Sequence, residues 1–110
     1  MKTLIASLML VASIAHAETT RDREVNQVLD GAQRLKDAMK KPATFELTQA
    51  MMVGGDTICY RYKARNSFND VTRGQYVVSK TVSTDSASEF IRLCVGRPAT
   101  DYTYVRSSLR

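Results

Sequence analysis

The sequence has 110 residues, with 16 Lys and Arg against 11 Asp and Glu, two cysteines and one histidine. That length suits one domain and not two, and the modest positive balance lacks the dense Lys/Arg clustering of a nucleic-acid binder. His16 falls in a predicted leader, so the mature chain has no histidine for nucleophile pairs, acid–base pairs or metal sites.

Met1 and Lys2 make a short positive start, Thr3 to Ile14 is apolar or small, and Ala15-His16-Ala17 carries small residues where a signal peptidase reads them. This predicts an export signal over 1–17, cleavage between Ala17 and Glu18, and a mature chain over 18–110 with an ordered core from about 21 to 105. The apolar run is shorter than the roughly 20 residues of a membrane-spanning helix. No cysteine follows it to accept a lipid. The mature chain is therefore expected without a transmembrane segment, in the periplasm or, as the alternative, secreted. Losing the single charge of Lys2 takes the formal net charge from +5 to +4, a balance that suits anionic envelope components.

Val25, Val28, Leu29, Ala32, Leu35 and Met39 follow helical spacing, with Arg23, Asn26, Asp30, Gln33, Arg34 and Asp37 on the other side. Thr19 or Thr20 can cap this helix and Lys40-Lys41-Pro42 can end it, which predicts a helix from about 21 to 40. From Thr44 the period changes to two, with Phe45, Leu47, Met51 and Val53 assigned to one face and Glu46, Thr48 and Ala50 to the other. Gly54-Gly55-Asp56 permits a tight reversal. In the next strand, Thr57 to Arg65, Ile58, Tyr60, Tyr62 and Ala64 are expected to face the helix, with Cys59, Arg61, Lys63 and Arg65 behind. Asn66 to Gly74 reads as a loop, and Gln75 to Val82 as a third strand with Tyr76, Val78 and Val82 on one face.

Asp85 or Ser86 can cap a short helix in which Ala87, Phe90, Ile91 and Cys94 share a face, closed by Gly96. Asp101 to Val105 is expected to add a short edge strand, and Arg106 to Arg110 to be a frayed tail. A domain this small buries only about 60–65% of its unfolded surface. A Cys59–Cys94 bridge in an oxidising compartment would add about 3–4 kcal/mol by the chain-entropy model. The parity of Cys59 sends that bridge to the sheet's second face or to its edge. The fold class expected is α+β: an N-terminal amphipathic helix on a three-stranded antiparallel sheet, with a short C-terminal helix tied by the disulfide.

Lys41-Pro42-x-x-Phe45, Cys59-Tyr60-Arg61-Tyr62-x-Ala64-x-Asn66-Ser67-Phe68, Leu93-Cys94-x-Gly96 and Asp101-x-Thr103 together resemble a group of small exported bacterial proteins of uncharacterised function. The resemblance covers about residues 41 to 103 and implies a shared cysteine pair and fold, with no activity to carry over. Where that group has Gly-Gly after the phenylalanine, Asn69-Asp70 stands here.

Arg61, Lys63 and Arg65 place three cations on one strand face, with Arg73 following, as a candidate anion-binding face; the plainer reading is the solvated side of a half-buried sheet. The residues imply no cofactor and no metal. The functional expectation is a non-catalytic envelope binding or accessory module, whose partner is an anionic envelope component or another envelope protein. One alternative is an inhibitor of a secreted hydrolase that uses a loop such as Asn66 to Gly74 as its plug. The other is a carboxylate-based hydrolase without histidine, for which Asp56 and Asp70 are the candidate pair.

Overall fold

Thr19 opens the residues that the computed structural model describes, 19–110; the predicted leader 1–17 and the cleavage residues Ala17 and Glu18 lie outside them. Thr19 is also the cap of helix α1 (Thr20–Asp37): its Oγ1 accepts the Asp22 amide at 3.1 Å, satisfying a donor that the first turn leaves unpaired. The helix ends at Asp37, earlier than expected, and Lys41 leaves the helical region ahead of Pro42, which opens a 3-10 turn over Pro42–Thr44. The predicted stripe is the buried one. Val28, Ala32 and Leu35 are buried, with Val25, Leu29 and Met39 at the margin of the same core.

Helix α1 lies on an antiparallel sheet of strands β1 (Glu46–Val53), β2 (Thr57–Arg65), β3 (Val71–Val78), β4 (Ser83–Thr84) and β5 (Ala99–Asp101), in the order β4-β3-β2-β1-β5. The sheet thus has five strands where three were expected. The two additions are edge strands of two and three residues, too short to display a period of two, and the second lies at 99–101 rather than over the expected 101–105, where the chain turns into a 3-10 segment from Thr103. β3 also starts at Val71 rather than Gln75, so half of the predicted loop is strand, and Val82 lies beyond a turn in which the Ser79 amide donates to the Val82 carbonyl. Gly54 and Gly55 make the β1–β2 reversal at φ +64° and +78°, a region glycine enters freely.

A β-bulge decides how β1 is used. Leu47 pairs with Tyr62, but Gln49 pairs with Arg61, so Thr48 is one residue more than the partner strand can match. The pleat therefore inverts at Thr48. Leu47, Ala50 and Met52 reach the α1 core, whereas Met51 and Val53 turn to the opposite face. The assignment of Leu47, Met51 and Val53 to one side, with Ala50 opposite, is corrected accordingly. In β2, without a bulge, Ile58, Tyr60, Tyr62 and Ala64 all face α1 as predicted, and Phe45 stacks on Tyr62 at 5.4 Å. Tyr60 is 0% exposed, and its hydroxyl donates to the Val28 carbonyl at 2.8 Å, which makes it part of the core.

The second face carries a smaller core. Helix α2 (Ala87–Cys94), capped by Ser86, packs Phe90 and Leu93 over Cys59, Val77, Met51 and Val53. The Cys59–Cys94 disulfide, with Cα atoms 6.1 Å apart, ties its end to the first half of β2 on that face. Ile91 is 61% exposed, so the apolar side of α2 is narrower than its sequence indicated.

The C-terminal tail is docked, not frayed. Thr103–Ser108 forms a 3-10 segment with Val105 buried, the Tyr102 amide donates to the Ala50 carbonyl at 2.8 Å, and Gln33 grips the amide and carbonyl of Arg110. No helix among the described residues is long and apolar enough to cross a membrane.

Candidate functional site

Direct cross-strand partners in an antiparallel sheet share a face, so the register lays out the side of the sheet opposite α1 in rows. Met51, Cys59 and Val77 form one row, Gln49, Arg61 and Gln75 the next, Glu46, Lys63 and Arg73 a third, and Arg65 with Val71 the last. Helix α2 covers the first row. The other rows are open, and they are the polar and basic ones. The boundary falls at Arg61, whose guanidinium lies 4.9 Å from the centre of the Phe90 ring at the edge of α2. Such stacking is worth about 0.5–1 kcal/mol at an exposed site. The contact restrains the guanidinium over the ring, and its N–H donors make no hydrogen bond with a described residue.

Arg61, Lys63 and Arg73 line one shallow cavity of about 170 Å³ with Thr48, Gly74 and Gln75. That is room for a phosphate or carboxylate group rather than for a drug-sized ligand, whose pockets run from about 300 to 1,000 Å³. The three cations differ in their neighbours. Lys63 Nζ lies 3.5 Å from Glu46 Oε2, an exposed pair of the kind worth about 0–1 kcal/mol. Arg61 has the Phe90 ring beneath it. The Arg73 guanidinium makes no ion pair or hydrogen bond with any described residue. The Gln75 side-chain amide donates to the Asp85 carbonyl at 3.0 Å, which secures β3 beside the start of α2.

The fourth predicted cation stands apart. Arg65 shares the face but lines an adjoining cavity with Thr44, Glu46, Lys63 and Val71, and its guanidinium donates to the Asn69 carbonyl at 2.7 Å. It braces the β2–β3 hairpin. Thr48, Gly74 and Gln75 were not singled out from the sequence, and Arg73 was assigned to a loop. The alternation of Val71, Arg73, Gln75 and Val77 with Thr72, Gly74, Tyr76 and Val78 was the available signal, hidden by turn-forming residues ahead of it. Gly74 has a structural reason as well: the Tyr62 ring lies so close that a β-carbon there would come within 2.5 Å of it.

The carboxylate pair considered for hydrolysis does not assemble. Asp56 sits in the β1–β2 turn and Asp70 in the β2–β3 loop, at opposite ends of the nine-residue strand β2, which at about 3.3 Å per residue is roughly 30 Å long. A larger cavity, of about 400 Å³, opens between α1 and the β1–β2 turn, with Asp30, Asp56, Arg34 and Lys80 at its rim and Tyr60 at its base. Its charges balance. Burial, and secondarily the Asp30 charge, raise the Tyr60 pKa far above the usual phenol value, so this hydroxyl is a neutral donor already committed to Val28.

Comparison with known proteins returns no match: no family model fits the chain, and neither a curated protein nor a solved structure is similar to it. The functional reading therefore rests on the chemistry of the basic face.

Proposed function

We propose that this is an exported, non-catalytic binding module of the cell envelope that takes anionic groups on the open half of its sheet. The observation that carries the reading is the juxtaposition of Arg61, Lys63 and Arg73 around one cavity that α2 leaves uncovered, where the exposed Glu46 carboxylate pairs with Lys63 alone. Residues that serve only solubility have no reason to converge on a cavity the size of a phosphate. Export is supported by the leader pattern of 1–17 and by the Cys59–Cys94 bridge, which is consistent with an oxidising compartment such as the periplasm.

Binding to vesicles rich in phosphatidylglycerol, or to an acidic wall polymer, is expected at low salt. It should weaken steeply as salt rises, because the Debye length falls from about 10 Å at 0.1 M to about 3 Å at 1 M. Arg61→Glu with Arg73→Glu should abolish it while circular dichroism stays native. Lys63→Glu is the poorer choice, since it sets a second carboxylate against Glu46. Full binding after the double charge reversal, or none at low salt by the native protein, would refute the basic face as the site. Export has its own test: the intact mass of the protein recovered from the envelope should equal residues 18–110 less two hydrogens. Retention of Met1, or two alkylatable thiols in the folded protein, would overturn it.

A further inference from the structure

Phe68 is 86% exposed at the apex of the β2–β3 hairpin, and Val71, at the start of β3, is 54% exposed. A large aromatic held this far out of a small domain invites a use, and the loop beneath it is built to hold it there. Asn66 Oδ1 accepts the amides of both Phe68, at 2.9 Å, and Asp70, at 3.0 Å, while the Asn66 amide donates to the Asp70 carbonyl and the Asn69 amide to the Asn66 carbonyl. Asn69 takes φ +66°, a conformation that asparagine tolerates far better than most residues with a side chain.

Cations surround this apex. Lys41 Nζ donates to Asn69 Oδ1 at 3.2 Å and Arg65 to the Asn69 carbonyl at 2.7 Å, one donor each, leaving the rest of the ammonium and the guanidinium to outside acceptors. Arg65 pairs across the sheet with Val71, and the next pair on that face is Lys63 with Arg73. Asp70 is the one acidic side chain in the loop. An apolar tip inside a cationic collar matches an anionic bilayer, where aromatic side chains settle at the headgroup level and long basic side chains reach the phosphates.

We infer that the β2–β3 hairpin is a membrane-contacting finger: Phe68 and Val71 enter the headgroup boundary of an anionic bilayer while Lys41, Arg65 and Arg73 hold its phosphates. The cationic part rests on the anion-binding reading given above; the apolar part stands on the exposure of Phe68 and Val71. Because the loop is already braced, contact costs little ordering of the backbone, the usual advantage of a pre-organised binding element.

The chain contains no tryptophan, so a Phe68→Trp protein reports on this apex without background. With vesicles of phosphatidylglycerol and phosphatidylcholine, its emission should shift to the blue and be quenched by acyl chains brominated near the headgroup. Phe68→Ser should lower vesicle partitioning by about tenfold, the order expected for withdrawing one phenylalanine from an apolar boundary, and leave binding to soluble polyphosphate unchanged. An emission spectrum that stays at its position in water on bound vesicles overturns the finger, as does undiminished partitioning of the Phe68→Ser protein. If the Phe68→Trp emission responds to a soluble envelope protein but not to vesicles, the tip docks in a protein groove and the lipid assignment fails. Native protein that binds polyphosphate but not vesicles defeats the finger and spares the basic face. Vesicle binding with the Phe68→Trp shift, but no polyphosphate binding, supports the finger and counts against the face.

Discussion

Replacing both Cys59 and Cys94 with alanine is expected to cost about 2–5 kcal/mol, a large fraction of the stability of a domain this size. Two effects combine. The bridge restricts the unfolded chain, and in the native state it anchors α2, whose eight residues are too few to form a stable helix without tertiary support. Its other attachments are modest: Phe90 is well buried, but Leu93 is only partly covered and Ile91 is mostly exposed. Denaturant titration of the oxidised protein and the double variant measures the total, and an unchanged midpoint would show that the bridge is immaterial. Hydrogen exchange separates the two effects. Amides of α2 should lose protection below the global level while those of α1 follow the overall stability, because α1 has an apolar core of its own. Release of α2 would also remove Phe90 from beneath Arg61, so the reduced protein should bind anions less well.

Gly31→Ala is expected to destabilise the protein by about 1–3 kcal/mol, although alanine is the better helix former by about 1 kcal/mol. Gly31 lies inside α1, where its backbone is helical and needs no special freedom. The reason for glycine is across the interface: a β-carbon at this position would lie 2.2 Å from the Tyr60 hydroxyl oxygen and 3.1 Å from the ring carbon that bears it. Tyr60 cannot swing aside. Its ring is wholly buried on the central strand and its hydroxyl is bonded to Val28, one turn earlier on the same helix. The close approach of α1 to β2 and that hydrogen bond therefore depend on each other.

Tyr60→Phe alone should cost about 0.5–1.5 kcal/mol, the usual net value of one hydrogen bond. In the Tyr60→Phe background the penalty of Gly31→Ala should shrink markedly, since the oxygen responsible for the clash is gone. A double-mutant cycle by thermal or denaturant melting measures this coupling. Equal penalties for Gly31→Ala in both backgrounds would show that the hydroxyl contact does not limit the approach of the helix.

The main features legible in the sequence are those that one element settles by itself. The stripe from Val25 to Met39 needs a core whatever covers it, because a helix brings residues three and four apart onto one side. The alternation in β2 likewise determined that Tyr60 faces the helix and that Cys59, Arg61 and Lys63 do not, so the direction of the disulfide and the common face of the cations were both contained in residues 57–65. Features that depend on a partner were not. The bulge at Thr48 exists only relative to β2, and it exchanges the faces of Ala50 and Met51 without any local signal. β4 and β5 hold two and three residues, and they are strands only because β3 and β1 offer them backbone to pair with. The tail from Arg106 reads as frayed, yet Gln33 holds both the amide and the carbonyl of Arg110. So too with the basic face. Sequence alone put Arg61, Lys63 and Arg65 on one side of a strand. Only the register brought Arg73 opposite Lys63, turned Arg65 into a brace for the hairpin, and placed α2 so that it covers the apolar row and leaves the charged rows open, because pairing across strands is decided by hydrogen bonds and packing between segments distant in the chain.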